Sequence, residues 1–152
     1  MKIDDTERQI INALLRDGRA STRELSAATG IAEPTVAQRV DQLETSGVIA
    51  GYEPRIDYDA IGYDVTAVFQ LTLDGDGLPE VAERLGDHRR MIGVYEVTGS
   101  HDVVAIGKFT DTAEMNEQIK QLMTDDDITG VETSVVLDTV TEYGQFQLDP
   151  DA

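Results

Sequence analysis

The sequence predicts an α+β protein with two small domains, a helical domain at residues 1–50 and a β-α-β-β-α-β domain at residues 65–141. Apolar residues first recur at helical spacing in three short stretches, and beyond residue 64 strand and helix periods alternate. A chain of 152 residues is long enough for two such domains, each with its own core. Residues 51–64 are expected to form a wing and linker strand, and residues 142–152 a tail without an element of its own.

Three short helices are expected in the first domain. The first begins after a cap at Asp4 and is ended by Gly18. The second begins with a capping box at Ser21 and stops at Gly30, and the third begins near Glu33. The buried stripe of the third helix consists of Val36, Val40 and Leu43. A short glycine turn between the last two helices predicts a helix-turn-helix.

The second domain repeats the order strand, helix, strand. The predicted elements are a strand at 65–73, a helix at 78–85, strands at 91–98 and 102–109, a helix at 111–123 and a strand at 131–141. This order predicts a ferredoxin-like sheet with both helices on one face.

Charge is the most unusual feature of the composition. Thirty acidic residues against twelve basic ones give a net charge of −18. Such a charge opposes DNA binding, because affinity for DNA depends largely on cations that displace counterions from phosphates. The acids are spread over every segment, and this resembles proteins from organisms with molar intracellular salt, where the Debye length falls to about 3 Å. An acidic protein from an organism with ordinary salt is the alternative.

Several classes of protein are disfavoured. The absence of a run of about 18 apolar residues and of a charged-then-apolar leader predicts a cytoplasmic protein with no membrane partner. The chain has no cysteine and two histidines, which excludes disulfides and thiolate sites and leaves few ligands for zinc. Neither His88 nor His101 lies in a catalytic motif. We therefore expect no catalytic residues, no metal and no cofactor.

Two short motifs carry a resemblance to a known family. "GVIAGY" lies at residues 47–52 and "VTGSHD" at residues 97–102. Together with the order of elements, they make residues 3–141 resemble the Lrp/AsnC (feast/famine) regulators. The resemblance implies a winged helix-turn-helix domain and a ferredoxin-like (RAM-type) domain that binds amino acids and assembles homodimers into octamers or other higher oligomers. With the acidic surface, it points to a haloarchaeal source.

The third helix carries side chains that are suited to reading DNA. With its apolar stripe inward, helical geometry turns four polar side chains outward: Thr35, Gln38, Arg39 and Gln42. Arginine can bond guanine bidentately, and glutamine can bond adenine in the same way. The start of the second helix is suited to phosphate contacts through Ser21, Thr22 and Arg23. From the residues alone a solvated helix face is an equally good interpretation, whereas the resemblance favours double-stranded DNA as the partner.

The loop between the second and third strands is the candidate effector site. Gly99 can adopt a positive φ and expose amides to a carboxylate, and Asp102 is suited to an ammonium group. The resemblance places an amino-acid site here, between dimers, and implies contacts from Thr98, Gly99, Ser100, His101 and Asp102. Weaker candidates are Glu96, Ser134 and Val136. A plain hairpin turn is the alternative, because Thr-Gly-Ser is ordinary turn sequence.

Three positions depart from the family pattern. Asp41, Ala50 and Ala32 stand where members often have a lysine, a basic residue and a serine cap. Fewer cations predict modest nonspecific affinity, with selectivity from a few base contacts and from several dimers on one DNA. Binding is expected to tolerate or require high salt, opposite to the usual dependence. The alternative functions are an amino-acid sensor with a vestigial DNA-binding domain and, less favoured, an enzyme on the ferredoxin-like scaffold.

Overall fold

The structure is a computed structural model that describes residues 3–149, and these form two compact units. The first unit contains the chain up to Arg55 and again from Thr141 onward, and the second contains Ile56–Val140. The C-terminal tail, expected as a separate segment, therefore belongs to the first unit. The segment expected as a linker is divided between the two units. An α+β fold with a helical unit and a four-stranded sheet is confirmed.

The first unit contains three helices: α1 (Asp5–Arg16), α2 (Thr22–Thr29) and α3 (Glu33–Thr45). Their apolar stripes meet in a small core that consists of Ile10, Ala13, Leu25, Val36 and Leu43, with Val40 packed against it. The predicted stripe of the third helix is therefore confirmed. Burying such side chains stabilises the unit by roughly 1.5–3 kcal/mol for each large one.

Local capping sequences define most helix ends. Asp4 and Ser21 both close capping boxes, and α2 ends at Gly30 with a left-handed φ of 73°. The predicted end of α1 at Gly18 is wrong, because the helix ends at Arg16 and its C-cap is the extended residue Asp17. The Asp17 carboxylate accepts a hydrogen bond from the amide of residue 19 at 3.0 Å, so an aspartate turn replaces the glycine cap.

The segment between α3 and the sheet is irregular. Residues 51–64, expected as a wing and linker strand, form no strand in the structure, which has a single 3₁₀ turn there, at Asp59–Ile61. Residues 50–57 make no backbone-to-backbone hydrogen bond within the described chain. A strand needs a neighbouring strand to pair with, and Pro54 in addition lacks an N–H. Residues 50–57 are therefore irregular chain without backbone pairing.

The second unit is an antiparallel sheet with two helices on one face. Its elements are β1 (Val65–Leu73), α4 (Leu78–Gly86), β2 (Met91–Glu96), β3 (Val103–Phe109), α5 (Thr112–Met123) and β4 (Ile128–Val135), and the strand order is β2-β3-β1-β4. Alternate residues of β1 are buried beneath the helices, as predicted. Phe69 and Phe109 make an edge-to-face contact in the core, with ring centroids 5.9 Å apart.

Four predicted strand boundaries need correction. β4 begins at Ile128 and ends at Val135, whereas the sequence predicted 131–141. Its bounds follow its partner, because Ile128 pairs with the last residue of β1 and the amide of residue 136 donates to a carbonyl at the beginning of β1. The facing ends of β2 and β3 are shorter than predicted, at Glu96 and Val103, because residues 97–102 form the turn that joins them.

Candidate functional site

The candidate reading face lies on α3, the helix that follows the left-handed turn at Gly30. Thr35, Gln38 and Gln42 are exposed along one side of this helix. Their side chains form no hydrogen bond within the described chain, so their donors and acceptors face solvent. Spacings of three and four residues place them on a single helix face. This face can offer amide and hydroxyl groups to the edges of bases.

Arg39 does not belong to this face. Its Nη1 lies 3.0 Å from Asp4 Oδ2 and 3.1 Å from Glu7 Oε1, so the guanidinium is ion-paired with the beginning of α1. Glu7 is buried, and its other carboxylate oxygen accepts a hydrogen bond from the Asp4 amide at 2.9 Å. The prediction that Arg39 points outward to guanine is therefore wrong in this structure. The side chain instead links α3 to α1.

The beginning of α2 is partly closed to an external anion. The backbone amide and the hydroxyl of Ser21 both donate to Glu24 Oε2, at 2.7 Å and 2.8 Å. The backbone hydrogen bond from Ser21, followed by the hydroxyl bond, lowers the pKa of Glu24, so this carboxylate is ionised. Of the three predicted phosphate contacts, Ser21 is thus already engaged, while Arg23 is exposed and Thr22 is half-buried.

The candidate effector loop is an exposed turn at one end of the sheet. Thr98, Gly99 and Ser100 are exposed, and Gly99 has a φ of 114°, which favours glycine. The amide of Val97 donates to the Asp102 carbonyl at 2.9 Å and closes the turn. The amides of residues 98–101, expected to hold a carboxylate, make no hydrogen bond within the described chain.

Asp102 connects this loop to β1. Its Oδ2 accepts a hydrogen bond from the Leu73 amide at 2.8 Å, and its own amide donates to the Leu71 carbonyl at 2.8 Å. The carboxylate that was predicted to bind an ammonium group therefore also holds the end of β1. The second oxygen, Oδ1, takes no part in this hydrogen bond and can face a cation.

His101 joins the loop to β4. Its Nε2 lies 3.3 Å from Glu132 Oε2, and its Nδ1 lies 3.3 Å from Ser100 Oγ. Glu132 was not among the predicted site residues, because its position depends on the register in which it pairs with Gln70. The weaker candidates behave differently: Glu96 and Ser134 are exposed, whereas the Val136 amide is bonded to the Thr66 carbonyl.

Comparison with known proteins identifies the chain's family. A model described as the Lrp/AsnC ligand binding domain matches residues 66–146, and a model described as winged helix-turn-helix DNA-binding matches residues 3–50. An uncharacterized HTH-type transcriptional regulator of Pyrococcus horikoshii is 35% identical over 150 residues, which cover 99% of this chain and all of the relative. The chain belongs to the Lrp/AsnC family. Its members are transcriptional regulators and not enzymes, so the interpretation as an enzyme is set aside.

Two solved structures show the same fold. A transcriptional regulator of Neisseria meningitidis in complex with L-Met has a TM-score of 0.91 at 19% identity and covers 97% of this chain and 98% of its own. The feast or famine regulatory protein of M. tuberculosis complexed with L-methionine has a TM-score of 0.82 at 25% identity, with 93% and 96% covered. These likenesses confirm the Lrp/AsnC architecture. The relatives come from Pyrococcus and give no support to a haloarchaeal source.

Residues 3–149 contain neither a candidate metal cluster nor a candidate membrane-spanning helix. No group of three or more His, Cys, Asp or Glu side chains there is placed to hold a metal ion. No helix there is long and apolar enough to cross a membrane.

Proposed function

We propose that this regulator recognises a specific duplex through Thr35, Gln38 and Gln42. The observation that carries the proposal is that these exposed, unbonded side chains share one face of α3 directly after the left-handed turn at Gly30. Glutamine amides can bond adenine bidentately, and threonine can contact a thymine methyl or a phosphate. Selectivity here rests on uncharged groups, because the one arginine of α3 is held by α1.

Genome-wide DNA capture followed by a binding titration tests this proposal. Gln38→Ala and Gln42→Ala should each lower the preference for the captured operator over its single-base variants by about 1–3 kcal/mol, or roughly 5- to 150-fold. Gln121→Ala, an exposed glutamine of α5 in the second unit, is the matched control and should bind as the wild type does. Unchanged preference in both α3 variants would refute the assignment of the reading face.

We further propose that binding tolerates or requires concentrated salt, as in a cytoplasm rich in KCl. The support is the net charge of −18 together with exposed carboxylates on α3, at Glu33, Asp41 and Glu44. These carboxylates repel phosphates until ions screen them. A filter-binding titration from low to molar KCl checks this, and a steep conventional loss of affinity would contradict both the salt requirement and the haloarchaeal source.

The effector in this proposal is an amino acid held by residues 98–102. Two relatives of the same fold are described as L-methionine complexes, and the loop here combines solvent-facing amides with the Asp102 carboxylate. The amides suit a carboxylate and the free oxygen of Asp102 suits an ammonium group. The two charged ends of an amino acid thus have complementary groups within one turn, to which Thr98, Ser100 and His101 add polar side chains.

Two substitutions at Asp102 separate its two roles. Asp102→Asn keeps an oxygen that can accept the Leu73 amide but removes the charge, so it should weaken L-methionine binding while leaving sheet stability near that of the wild type. Asp102→Ala removes both the charge and the oxygen that accepts the hydrogen bond from the Leu73 amide. It should therefore also destabilise the second unit by about 1–3 kcal/mol. Calorimetric titration and thermal unfolding measure the two effects. Wild-type affinity in the asparagine variant would remove Asp102 from the effector site.

The proposed assembly is a homodimer through the open face of the sheet, with dimers associating into an octamer or another higher oligomer. The helices of the second unit cover one face, and the centre of the other face carries Val68, Val104 and Ile106. Apolar side chains on an open face favour burial against a second copy. Sedimentation of Ile106→Asp against wild type tests this, and an unchanged mass would contradict the dimer face.

The alternative function is an amino-acid sensor whose first unit does not bind DNA. It is favoured by the acidic side chains of α3 and by the engagement of Arg39 and Glu24 inside the unit. This alternative predicts no captured DNA even in molar KCl, together with normal L-methionine binding. The capture experiment therefore distinguishes the two functions directly.

A further inference from the structure

The arginines of the first unit fall into two groups. Arg8 and Arg39 are held inside the unit, where Arg8 donates to the Asp149 carbonyl at 2.9 Å and Arg39 pairs with the carboxylates of α1. The exposed arginines are Arg16, Arg19, Arg23 and Arg55. Within the described chain, none of these four guanidinium groups forms an ion pair. The exposed group is therefore available to an external anion.

Three of the exposed arginines line the same groove: Arg16, Arg19 and Arg55. It lies between the turn that follows α1 and residues 51–55, and its volume is about 650 Å³. Asp17 and Glu53 also line it, so the guanidinium groups outnumber the carboxylates. A positive balance at one groove is unusual on a chain with a net charge of −18.

The C-terminal tail fixes one side of this groove. Arg55 Nη2 donates to the Tyr143 carbonyl at 2.6 Å, which leaves its other guanidinium donors for a second acceptor. The tail is itself held on α1, because Asn12 donates to the Leu148 carbonyl at 3.0 Å and accepts from the Leu148 amide at 2.8 Å. A tethered arginine loses less conformational entropy when it binds a ligand.

The groove continues toward the beginning of α2 and the side of α3 that carries Val40 and Glu44. Arg19 and Tyr52 also line a neighbouring hollow of about 260 Å³, which reaches Ser21 and Thr22 at the beginning of α2 and Glu44 on α3. Tyr52 itself donates to Glu44 Oε1 at 2.8 Å and so joins the groove wall to α3. A ligand that passes along the groove therefore reaches the beginning of α2, where Ser21 and Thr22 are candidate phosphate contacts.

We infer that this groove binds the phosphate backbone of the DNA beside the base pairs that α3 reads. The inference rests on the proposed function, and it adds a site for sequence-independent contacts, formed by Arg16, Arg19 and Arg55. Guanidinium groups bind phosphate oxygens through short, charge-assisted hydrogen bonds. Such contacts fix the register of the protein on the duplex without reading its sequence. They supply the cations that α3 lacks.

The salt dependence of DNA affinity tests the groove. Each phosphate contact contributes about 0.9 to the slope of log K against log [KCl], and differences between variants do not depend on the sign of the wild-type slope. Three variants remove one groove guanidinium each: Arg16→Gln, Arg19→Gln and Arg55→Gln. Each should change the slope by about 0.9 per bound protomer, so that added KCl lowers DNA affinity less than in the wild type. Preference among base pairs should not change. Arg89→Gln, an exposed arginine of the second unit, changes the net charge equally and should leave the slope unchanged.

A variant of the groove wall gives a second measurement. A side chain at Gly51 would meet no atom within 4 Å at its Cβ position, and the backbone there needs no positive φ. Gly51→Glu should therefore fold normally and place a carboxylate at the groove. We expect weaker DNA binding, with the largest loss at low KCl, where screening is weakest.

The outcomes separate this inference from the proposed function. Wild-type slopes in all three groove variants, with normal operator preference, overturn the groove and leave the reading face intact. A changed oligomeric mass in these variants would instead make the groove a contact between copies of the chain and would also overturn it. If the wild type binds no DNA at any KCl concentration, both the groove and the reading face are overturned. If Gln38→Ala loses operator preference while its salt slope is unchanged, α3 reads bases and the groove binds phosphates, as inferred.

Discussion

Substituting Arg39 by alanine separates a structural from a DNA-reading role for this side chain. The change leaves the buried Glu7 Oε1 without its partner at 3.1 Å and removes the 3.0 Å contact with Asp4. A lost hydrogen bond to a buried charged group costs about 1.5–3 kcal/mol. Because Arg39 and Asp4 are both partly exposed, water compensates some of this, and we expect a loss of about 1–2 kcal/mol in the stability of the first unit.

Native-state hydrogen exchange provides the assay, because it reports the two units separately. Amides of α1 and α3 should exchange about 5- to 30-fold faster in Arg39→Ala, while amides of the sheet are unchanged. A double-mutant cycle that combines Arg39→Ala with Glu7→Gln should give a coupling free energy of about 1 kcal/mol between residues 39 and 7. DNA affinity should fall similarly for all sequences. Wild-type exchange combined with relaxed preference at one guanine would refute the reasoning and restore Arg39 as a base contact.

Three further predictions follow from single contacts. Gly99→Ala should weaken L-methionine binding and cost about 1 kcal/mol, because its φ of 114° disfavours other residues. The backbone hydrogen bond from Thr110, with the Arg90 ion pair in support, lowers the pKa of Glu114 to about 2. The stabilisation that ionised Glu114 provides is complete above pH 4.5, the usual pKa of a glutamate, and is lost as the pH falls toward 2. In Glu114→Gln, the free energy of unfolding should therefore depend less on pH in that range. Burial, followed by the contact with Glu44, raises the pKa of Tyr52 to about 12. The stabilisation that protonated Tyr52 provides is complete below pH 10 and is lost as the pH rises through 12. Tyr52→Phe should remove this loss of stability at alkaline pH.

Each of these predictions has a control. Gly75→Ala, where the Cβ meets open space and φ is not positive, should bind L-methionine normally; equal loss in both glycine variants would contradict the role of the left-handed φ. Circular dichroism against pH measures the two titrations. Identical acid curves for wild type and Glu114→Gln, or identical alkaline curves for wild type and Tyr52→Phe, would show that these groups do not contribute.

Features that depend on neighbouring residues were predicted correctly from the sequence. The capping boxes at Asp4 and Ser21 involve partners three residues away, and the alternation in β1 reports directly which face is buried. Both are therefore visible in a short window of sequence. The end of α1 was wrong because Asp17 and Gly18 are both reasonable stop signals, and sequence does not decide between them.

Features that depend on distant partners were missed. Arg39 lies on the polar side of α3 by sequence, but Glu7, in a different helix, pairs with it. The bounds of β4 follow from where β1 ends, and the bond from Asp102 to the Leu73 amide follows from the same register. The sequence thus indicates which elements carry the candidate residues, whereas tertiary contacts decide which of their side chains are free to meet a ligand.

The return of the tail to α1 has a consequence during synthesis. The contacts of Asn12 and Arg8 with Leu148 and Asp149 can form only after residues 148 and 149 have left the ribosome. The unit that is translated first is therefore completed last, after the sheet between its two parts has had the opportunity to fold. A fragment that stops at Arg55 lacks this closure, because it contains neither Leu148 nor Asp149.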